Sequence, residues 1–423
     1  MITGTKGRGA KTNLTSLQVL DSRGIPTVCA VLRTKNGLFT ATVPSGTSSG
    51  KNEAIELRDS RKAFNGKGVS KAVQNVQKVA KSLPENFYVD QAKLDTTLLT
   101  LDNTANKQRL GANALLAISL VASKAAAAEN NEPLFAYFNR IANTKSQIPI
   151  PFSVVIDGGR HAGNDLRFQE FMLVPTGFSS FEKCTQAIVE TYVELRRLLY
   201  KKFGVTATNV GQEGGFAAPL SKTTAALDLL ETATHNAGYG NKIKIALDCA
   251  ASEFYNSKTN TYNYEGKNIS AEKLSEVYYA LIEDYPIISI EDPFHQEDFT
   301  TFSSFTKNCK ITVVGDDLLT TNPTRIIKGI LNNSCNALLL KPNQIGTITE
   351  TLEAAELARN AGWKVIASHR AGDSEDTFLA HLAVGLGCEA AKIGAPCRGE
   401  RTSKYNKLLF IERFHKLKLA KWV

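Results

Sequence analysis

The chain has 423 residues, 43% apolar and 22% charged, with 50 basic against 41 acidic side chains and a formal charge of +9. This length accommodates a large core in two domains or three, and the composition is that of a soluble globular enzyme. The basic excess is dispersed and comes with no basic-aromatic platform or recognition motif, which argues against a nucleic-acid partner and for a basic surface or a small-anion site.

Met1 to Asn13 is basic and rich in Gly and Thr, without the apolar stretch of a secretory signal, and reads as a frayed terminus. Ser16 to Val43 reads as strands around the turn-forming DSRGIP and KNG. SGTSSGKNEA follows, small hydroxyls between Gly46 and Gly50, either an ordinary loop or a lid with glycine hinges. Helix-compatible spacing marks Lys71 to Ala80 and Ala112 to Ala128. The latter is too short, and too interrupted by Lys124, to span a membrane, and reads as an Ala-rich buried helix. Strands first and helices after make this an α+β unit. The seven cysteines lack CxxC spacing and read as reduced thiols of a cytosol-like compartment.

Beyond the polar link Asn143 to Gln147 the pattern changes. The strand-like runs PIPFSVVI and FMLVPTG precede two helical runs, one with Ile188, Tyr192, Leu195 and Leu199 on a face, the other with Ala226, Leu229, Leu230 and Ala233. Then strands alternate with helices: KIKIALD, IISIED, ITVVGDD, ALLLK, KVIASH, AAKIG. From Glu291 through Asp316, Lys341 and His369 to Lys392 the steps are 25, 25, 28 and 23 residues, each the length of one βα unit. Many such units in a row imply a closed parallel barrel.

Each run ends in a polar residue that a buried strand would not otherwise carry: Asp248, Glu291, Asp316 with Asp317, Lys341, His369 with Arg370, and Lys392. Any one of these could be a helix cap, and a lone Lys341 could reach water or pair with a carboxylate. Six in succession, delivered to one barrel face, point to a site. Asp248, Glu291 and Asp316 repel one another unless a cation lies between them, and all-oxygen ligation favours Mg²⁺. Two lysines and an arginine beside that metal fit an anion carrying carboxylate and phosphate. Glu213 in GQEGGF and His161 and Glu170 in DGGRHAGNDLRFQEF join the set. A basic Lys341 opposite an acidic Glu213 suits proton removal from one carbon and loss of hydroxyl from its neighbour.

On these residues the chain resembles the enolase (phosphopyruvate hydratase) family. The resemblance runs from LDSRG near Asp21 to ERTSKYNKLL near Leu409 and includes VPSGTSSG, GGRHAG, QEFMLVPTG, NVGQEGGFA, LDCAASEF, SIEDPF, GDDLLTTNP, LLLKPNQIG, SHRAGDSEDTF and KIGAPCRGER. It implies an α/β fold, a TIM-type ββαα(βα)6 barrel over residues 147–423 under an N-terminal α+β cap over 1–146. It implies reversible, Mg²⁺-dependent dehydration of 2-phospho-D-glycerate to phosphoenolpyruvate in a cytoplasmic homodimer. By position, Asp248, Glu291 and Asp316 would hold the tighter of two Mg²⁺ ions, and Ser48 in the lid loop would reach the second, substrate-dependent one. Lys341 would be the base, and Lys392 with the metals would stabilise the enolate. Glu213, helped by Glu170, would assist loss of the 3-hydroxyl. His161 and His369 would line the pocket, and Arg370 would grip the phosphate beside position 371.

The chain departs from the family pattern at several places. Ala371 stands where a serine usually contacts the phosphate, implying weaker phosphate binding. Gln212 replaces the usual Asp before Glu213, which is expected to shift the pKa of Glu213 down. Asp157, Arg160 and Ile393 replace the usual Asn, Ser and Thr. An intersubunit Glu–Arg pair is replaced by Cys29 and Phe410, implying an altered, apolar dimer contact. Two competing readings are a weakened enolase-fold protein acting in binding or at the cell surface, and a sister enzyme acting on another carboxylate. The tail HKLKLAKWV reads as a solvated helix end rather than a docking segment.

Overall fold

A computed structural model describes residues 12–47, 50–60 and 62–422. The N-terminal part is a meander of three antiparallel strands, β1 (Asn13–Leu20), β2 (Pro26–Thr34) and β3 (Gly37–Thr42). Strand β2 lies between the other two and is buried along most of its length, so PTVCAVLRT is largely apolar instead of alternating. The helix Ala112–Glu129 packs on β2 and β3. It is long and apolar enough to cross a membrane, yet 83% of it is buried inside the protein, where it is a core helix.

The second part is a closed eight-stranded barrel. Its strands are β4 (Ile150–Asp157), β5 (Glu170–Val174) and β6 (Lys244–Asp248), then β10 (Ile287–Glu291), β11 (Thr312–Gly315), β12 (Ala337–Leu340), β13 (Lys364–Ser368) and β14 (Ala390–Lys392). Strand β5 runs antiparallel to both β4 and β6, while every other pairing is parallel. Helices Phe181–Phe203 and Thr223–Asn236 fill the gap between β5 and β6. The expected ββαα(βα)6 order therefore holds. A small meander of β7 (Tyr255–Asn256), β8 (Thr261–Tyr264) and β9 (Lys267–Ile269), absent from the sequence reading, is inserted after β6.

Period-2 alternation sorts each barrel strand between two cores. Ile150, Phe152, Val154, Met172, Val174, Ala246, Val314, Ala337, Leu339, Ile366 and Ala390 fill the barrel interior. Leu338 and Leu340 belong to the outer core beneath the helices. The run of leucines before Lys341 is thus a strand buried on both faces.

The chain end corrects an expectation. The last helix, Gly399–His415, stops at Lys416 in left-handed conformation (φ 53°), and the tail then crosses the barrel floor. Ala420 N–H donates to Ile148 O (2.8 Å), Ile148 N–H donates to Lys418 O (2.8 Å), and the Trp422 ring lies 5.0 Å from that of Phe152. The tail is a plug made of alternating apolar residues, because the open bottom of a barrel must be covered.

One half-buried histidine makes the fold sensitive to acid. His381 stacks on Phe135 (6.4 Å, 9° between planes), and burial lowers its pKa to about 3. An unfolded histidine titrates near ~6.5. Below that pH the unfolded chain binds a proton that the folded one refuses, so stability falls as pH falls from about 6.5 towards 3. His381→Phe, which keeps the stacking, is expected to flatten part of this fall in melting temperature; an unchanged slope would exclude His381 as a source.

Candidate active site

The same alternation that fills the barrel aims the site. One period beyond the inward residues Ala246, Val314, Leu339 and Ala390 stand Asp248, Asp316, Lys341 and Lys392, all at the carboxyl ends of their strands. Glu170 joins them from the opposite direction. Because β5 is antiparallel, its first residue lies at the mouth, paired in register with Asp248, which is itself paired with Glu291.

Lys392 is the centre of this array and is 2% exposed. Its Nζ lies 2.8 Å from Glu170 Oε2, 3.0 Å from Asp248 Oδ2 and 2.9 Å from Glu291 Oε1. Burial works against its charge, but Asp248, Glu170 and Glu291 prevail and hold its pKa well above the usual lysine value. Lys341 Nζ donates to Asp316 Oδ2, and Gln344 Nε2 donates to Asp316 Oδ1 at 2.8 Å. Here too burial favours the neutral amine while Asp316 raises the pKa, so Lys341 is an ammonium in this arrangement.

Opposite lies Glu213, in the turn NVGQEGGF. The turn wraps the buried carboxyl of Asp157, whose Oδ2 accepts the Glu213 N–H at 3.1 Å. Glycine is needed on both sides of it: a Cβ at Gly211 would sit 2.3 Å from Asp157 Oδ2, and one at Gly215 2.8 Å from Asp157 N. His369 Nε2 stands 2.9 Å from Glu213 Oε2, with its N–H off the line between them. His161 Nδ1 is 3.4 Å from Glu170 and 3.6 Å from Glu213. For Glu213, burial works upward, but His369, His161 and Arg401 pull its pKa well below the carboxylate range. Burial and the charge of Glu213 push Glu170 well above it. Two adjacent carboxyls are thus pushed in opposite directions, Glu170 towards its protonated form and Glu213 towards its charged one.

Arg370 closes the other side. Its guanidinium meets Glu53 with both terminal nitrogens (3.0 and 3.1 Å) and donates to Asn343 Oδ1 at 3.1 Å. Glu53 belongs to the loop that carries the SGTSSG segment. At the near end of that loop, Arg23 holds Gly46 O and Thr47 Oγ1 (3.0 and 2.7 Å), and Thr47 Oγ1 also donates to Gln212 Oε1. Ser48 lies outside the described residues.

The comparisons with known proteins agree with one another. Residues 12–138 match the family described as Enolase, N-terminal domain, and residues 145–418 match Enolase, C-terminal TIM barrel domain. The chain belongs to the enolase family. It is similar to the enolase of Methanocaldococcus jannaschii, with 49% identity over 95% of this chain and 94% of the relative. It is likewise similar to the enolase of Methanopyrus kandleri, with 50% identity over 93% of each chain. Similarity at this level over nearly the whole length makes it an enolase in function, a hydro-lyase of the phosphopyruvate hydratase type.

The enolase family uses Mg²⁺, and the donors here suit it. Two groups among the described residues bring one ligand atom each within 4.8 Å of one another: His161, Glu170 and Glu213, and Asp292, Asp316 and Asp317. The sequence-expected trio Asp248, Glu291 and Asp316 is not drawn together as one such group. Lys392 sits between Asp248 and Glu291, and Lys341 holds Asp316. The trio nevertheless fits a hard cation. It offers only oxygen, and burial with the Asp248 charge drives Glu291 well above the carboxylate range, a surplus of negative charge that a cation would relieve.

Several residues of this enolase-family site escaped sequence reasoning. Asp292 accepts the backbone N–H groups of Asp316 and Asp317 (3.0 and 2.7 Å), fixing the turn after β11. Arg401 and Lys404, one turn apart on the last helix and at most 1% exposed, brace the loop after β13. ERTSKY carried both in plain view, but their partners are not local. Glu213 is pulled down by His369, His161 and Arg401, and the Gln212 side chain accepts from the loop residue Thr47.

Proposed function

We propose that the barrel mouth dehydrates 2-phospho-D-glycerate to phosphoenolpyruvate reversibly, as follows. Lys341 takes the proton from the carbon next to the carboxylate. The Lys392 ammonium faces the carboxylate oxygens where negative charge builds, preplaced and buried, which is where such a charge acts most strongly. The Glu170–Glu213 pair supplies the proton that leaves with the 3-hydroxyl, with His161 and His369 lining that side. Arg370 binds the phosphate. Asp248, Glu291 and Asp316 would hold one Mg²⁺, and Ser48 would reach a second, substrate-dependent ion. Bound Mg²⁺ supplies fixed positive charge beside the substrate carboxylate.

What carries this reading is the convergence of two buried lysines and five carboxylates, Glu170, Glu213, Asp248, Glu291 and Asp316, at one barrel end. In the pairing present here Lys341 is protonated. Once Asp316 is engaged by a cation, burial and the charges of Arg370 and Lys392 lower the Lys341 pKa towards that of a working base, opposed by the smaller effect of Glu291. The test is the ultraviolet absorbance of the enol product when 2-phospho-D-glycerate is added to purified protein with Mg²⁺. Product from another 2-hydroxy carboxylate but not from this one would move the chain to a sister activity.

Ala371 lies at the phosphate end and is 5% exposed. Its carbonyl is taken by Arg401 (2.6 Å), but its methyl offers no donor. Ala371→Ser is expected to lower KM for 2-phospho-D-glycerate by a few-fold, about one added hydrogen bond of ~1 kcal/mol, with kcat little changed. An unchanged KM would count against a phosphate contact at this position.

The reading includes a cap over 1–146, a barrel over 147–423, a cytoplasmic setting in glycolysis, and a homodimer. Exposed Leu17 and Leu20 on β1 and Phe410 and Phe414 on the last helix (45, 59, 51 and 67% exposed) support an apolar interface. Leu17 pairs in register with Cys29, where the family's ion pair would have begun. Light scattering at micromolar protein is expected to give a dimer mass; a monomer would refute it.

A further inference from the structure

We infer that Arg401 is a positioning residue that locks His369 in its neutral Nε2–H tautomer, so that the ring presents a proton donor to Glu213 and the barrel mouth. A guanidinium has five donors and no acceptor. Arg401 Nη1 lies 2.6 Å from His369 Nδ1, so Nδ1 accepts and carries no proton. A neutral imidazole must then carry its one proton on Nε2, the nitrogen 2.9 Å from Glu213 Oε2.

Arg401 is itself fixed. It is 0% exposed, and it also donates to Arg370 O (2.7 Å), Gln212 O (3.1 Å) and Ala371 O (2.6 Å). One side chain therefore ties the backbone just before Glu213 to the loop that carries His369 and Arg370. The His369 N–H donates to Lys392 O at 3.0 Å, so the ring cannot swing with its loop. On its far side the ring meets the backbone of Gly394, where an added Cβ would stand 3.0 Å from His369 Cε1. The charged groups facing the ring are Glu213, Arg401 and Asp373; burial nevertheless lowers its pKa to about 4, so it stays neutral at working pH. His369 Nε2 is buried and lacks an aligned acceptor among the described residues. A donor in that condition is available to a ligand oxygen, or to Glu213 after a small turn of its carboxylate.

The inference rests on the barrel mouth being the active site, but its primary readout does not. Ring nitrogens of the full-length protein labelled with ¹⁵N-histidine report the tautomer directly, with His369→Gln assigning the signal. The expected result is an Nε2–H ring at His369 that does not titrate between pH 8 and 5. Arg401→Met is expected to release the ring to mixed tautomers and to a pKa nearer the ordinary value. It is also expected to lower kcat by about 100-fold, the low end for a misplaced acid–base group, with KM nearly unchanged. Arg401→Lys, which keeps one donor, is expected to restore the tautomer and part of kcat. A wild-type His369 protonated on Nδ1, or an Arg401→Met protein that keeps both tautomer and kcat, would overturn the proposal. If Arg401→Met does not fold, the wild-type tautomer alone decides. An Nε2–H ring in a protein inactive on 2-phospho-D-glycerate would defeat the functional reading and leave the tautomer lock standing.

Discussion

Lys341→Ala is expected to lower kcat for 2-phospho-D-glycerate by about 10³-fold, within the range for loss of a positioned general base, in a protein that remains folded. The fold survives because the residue ends a strand whose own core contacts lie earlier, at Leu338 to Leu340. Its backbone N–H is taken by Thr321 Oγ1 (2.9 Å), and Asp316 keeps Gln344 as a donor (2.8 Å). The chemistry does not survive, because Lys392, the other lysine at the barrel mouth, is held by Glu170, Asp248 and Glu291. Exchange of the carbon-bound proton with deuterated solvent separates base loss from slower product release. The exchange is expected to stop in the variant. A variant within tenfold of wild type, still exchanging, would place the base elsewhere.

Stripping divalent cations with a chelator is expected to abolish turnover, and Mg²⁺ to restore it. Asp248, Glu291 and Asp316 arrive on three neighbouring strands with two lysines among them, and that arrangement leaves Glu291 above its ordinary pKa, through burial first and then Asp248. A group with a raised carboxyl pKa must lose its proton to become a ligand. Mg²⁺ binding is therefore expected to release protons and to weaken as pH falls. Calorimetric titration in two buffers of different ionisation enthalpy reads that release. Glu291→Gln is expected to raise the Mg²⁺ needed for half-maximal activity by at least ~10-fold, the lower end of the loss seen when a ligand's support is disturbed. Turnover that persists in metal-free protein would remove the trio from the mechanism.

Where these residues stand was partly legible in the chain alone. A polar residue ending each apolar run, at steps of 23 to 28 residues from Glu291 onward, places Asp248, Glu291, Asp316, Lys341 and Lys392 at one end of a barrel before any coordinates are seen. Period 2 and the βα repeat are local properties, written residue by residue along the backbone. Glu170 is different. Its run, FMLV, looks like any other strand, and only the antiparallel course of β5 brings its first residue, and not its last, to the mouth.

Other features belong to tertiary structure alone. Arg401 reaches Gln212 across 189 residues and His369 across 32, and Glu53 reaches Arg370 across 317. No pattern in ERTSKY or GKNEA names those partners. The basic tail read as a solvated helix end and turned out to close the barrel, since the decisive contact, Trp422 on Phe152, joins the two ends of the barrel domain. The amino-acid sequence determined which residues alternate, where each strand stops and which chemistry sits at each stop. Folding decided which of those groups share a proton, which cation faces which carboxylate, and which distant side chain holds each one still, because burial and charge pairing are set by neighbours in space.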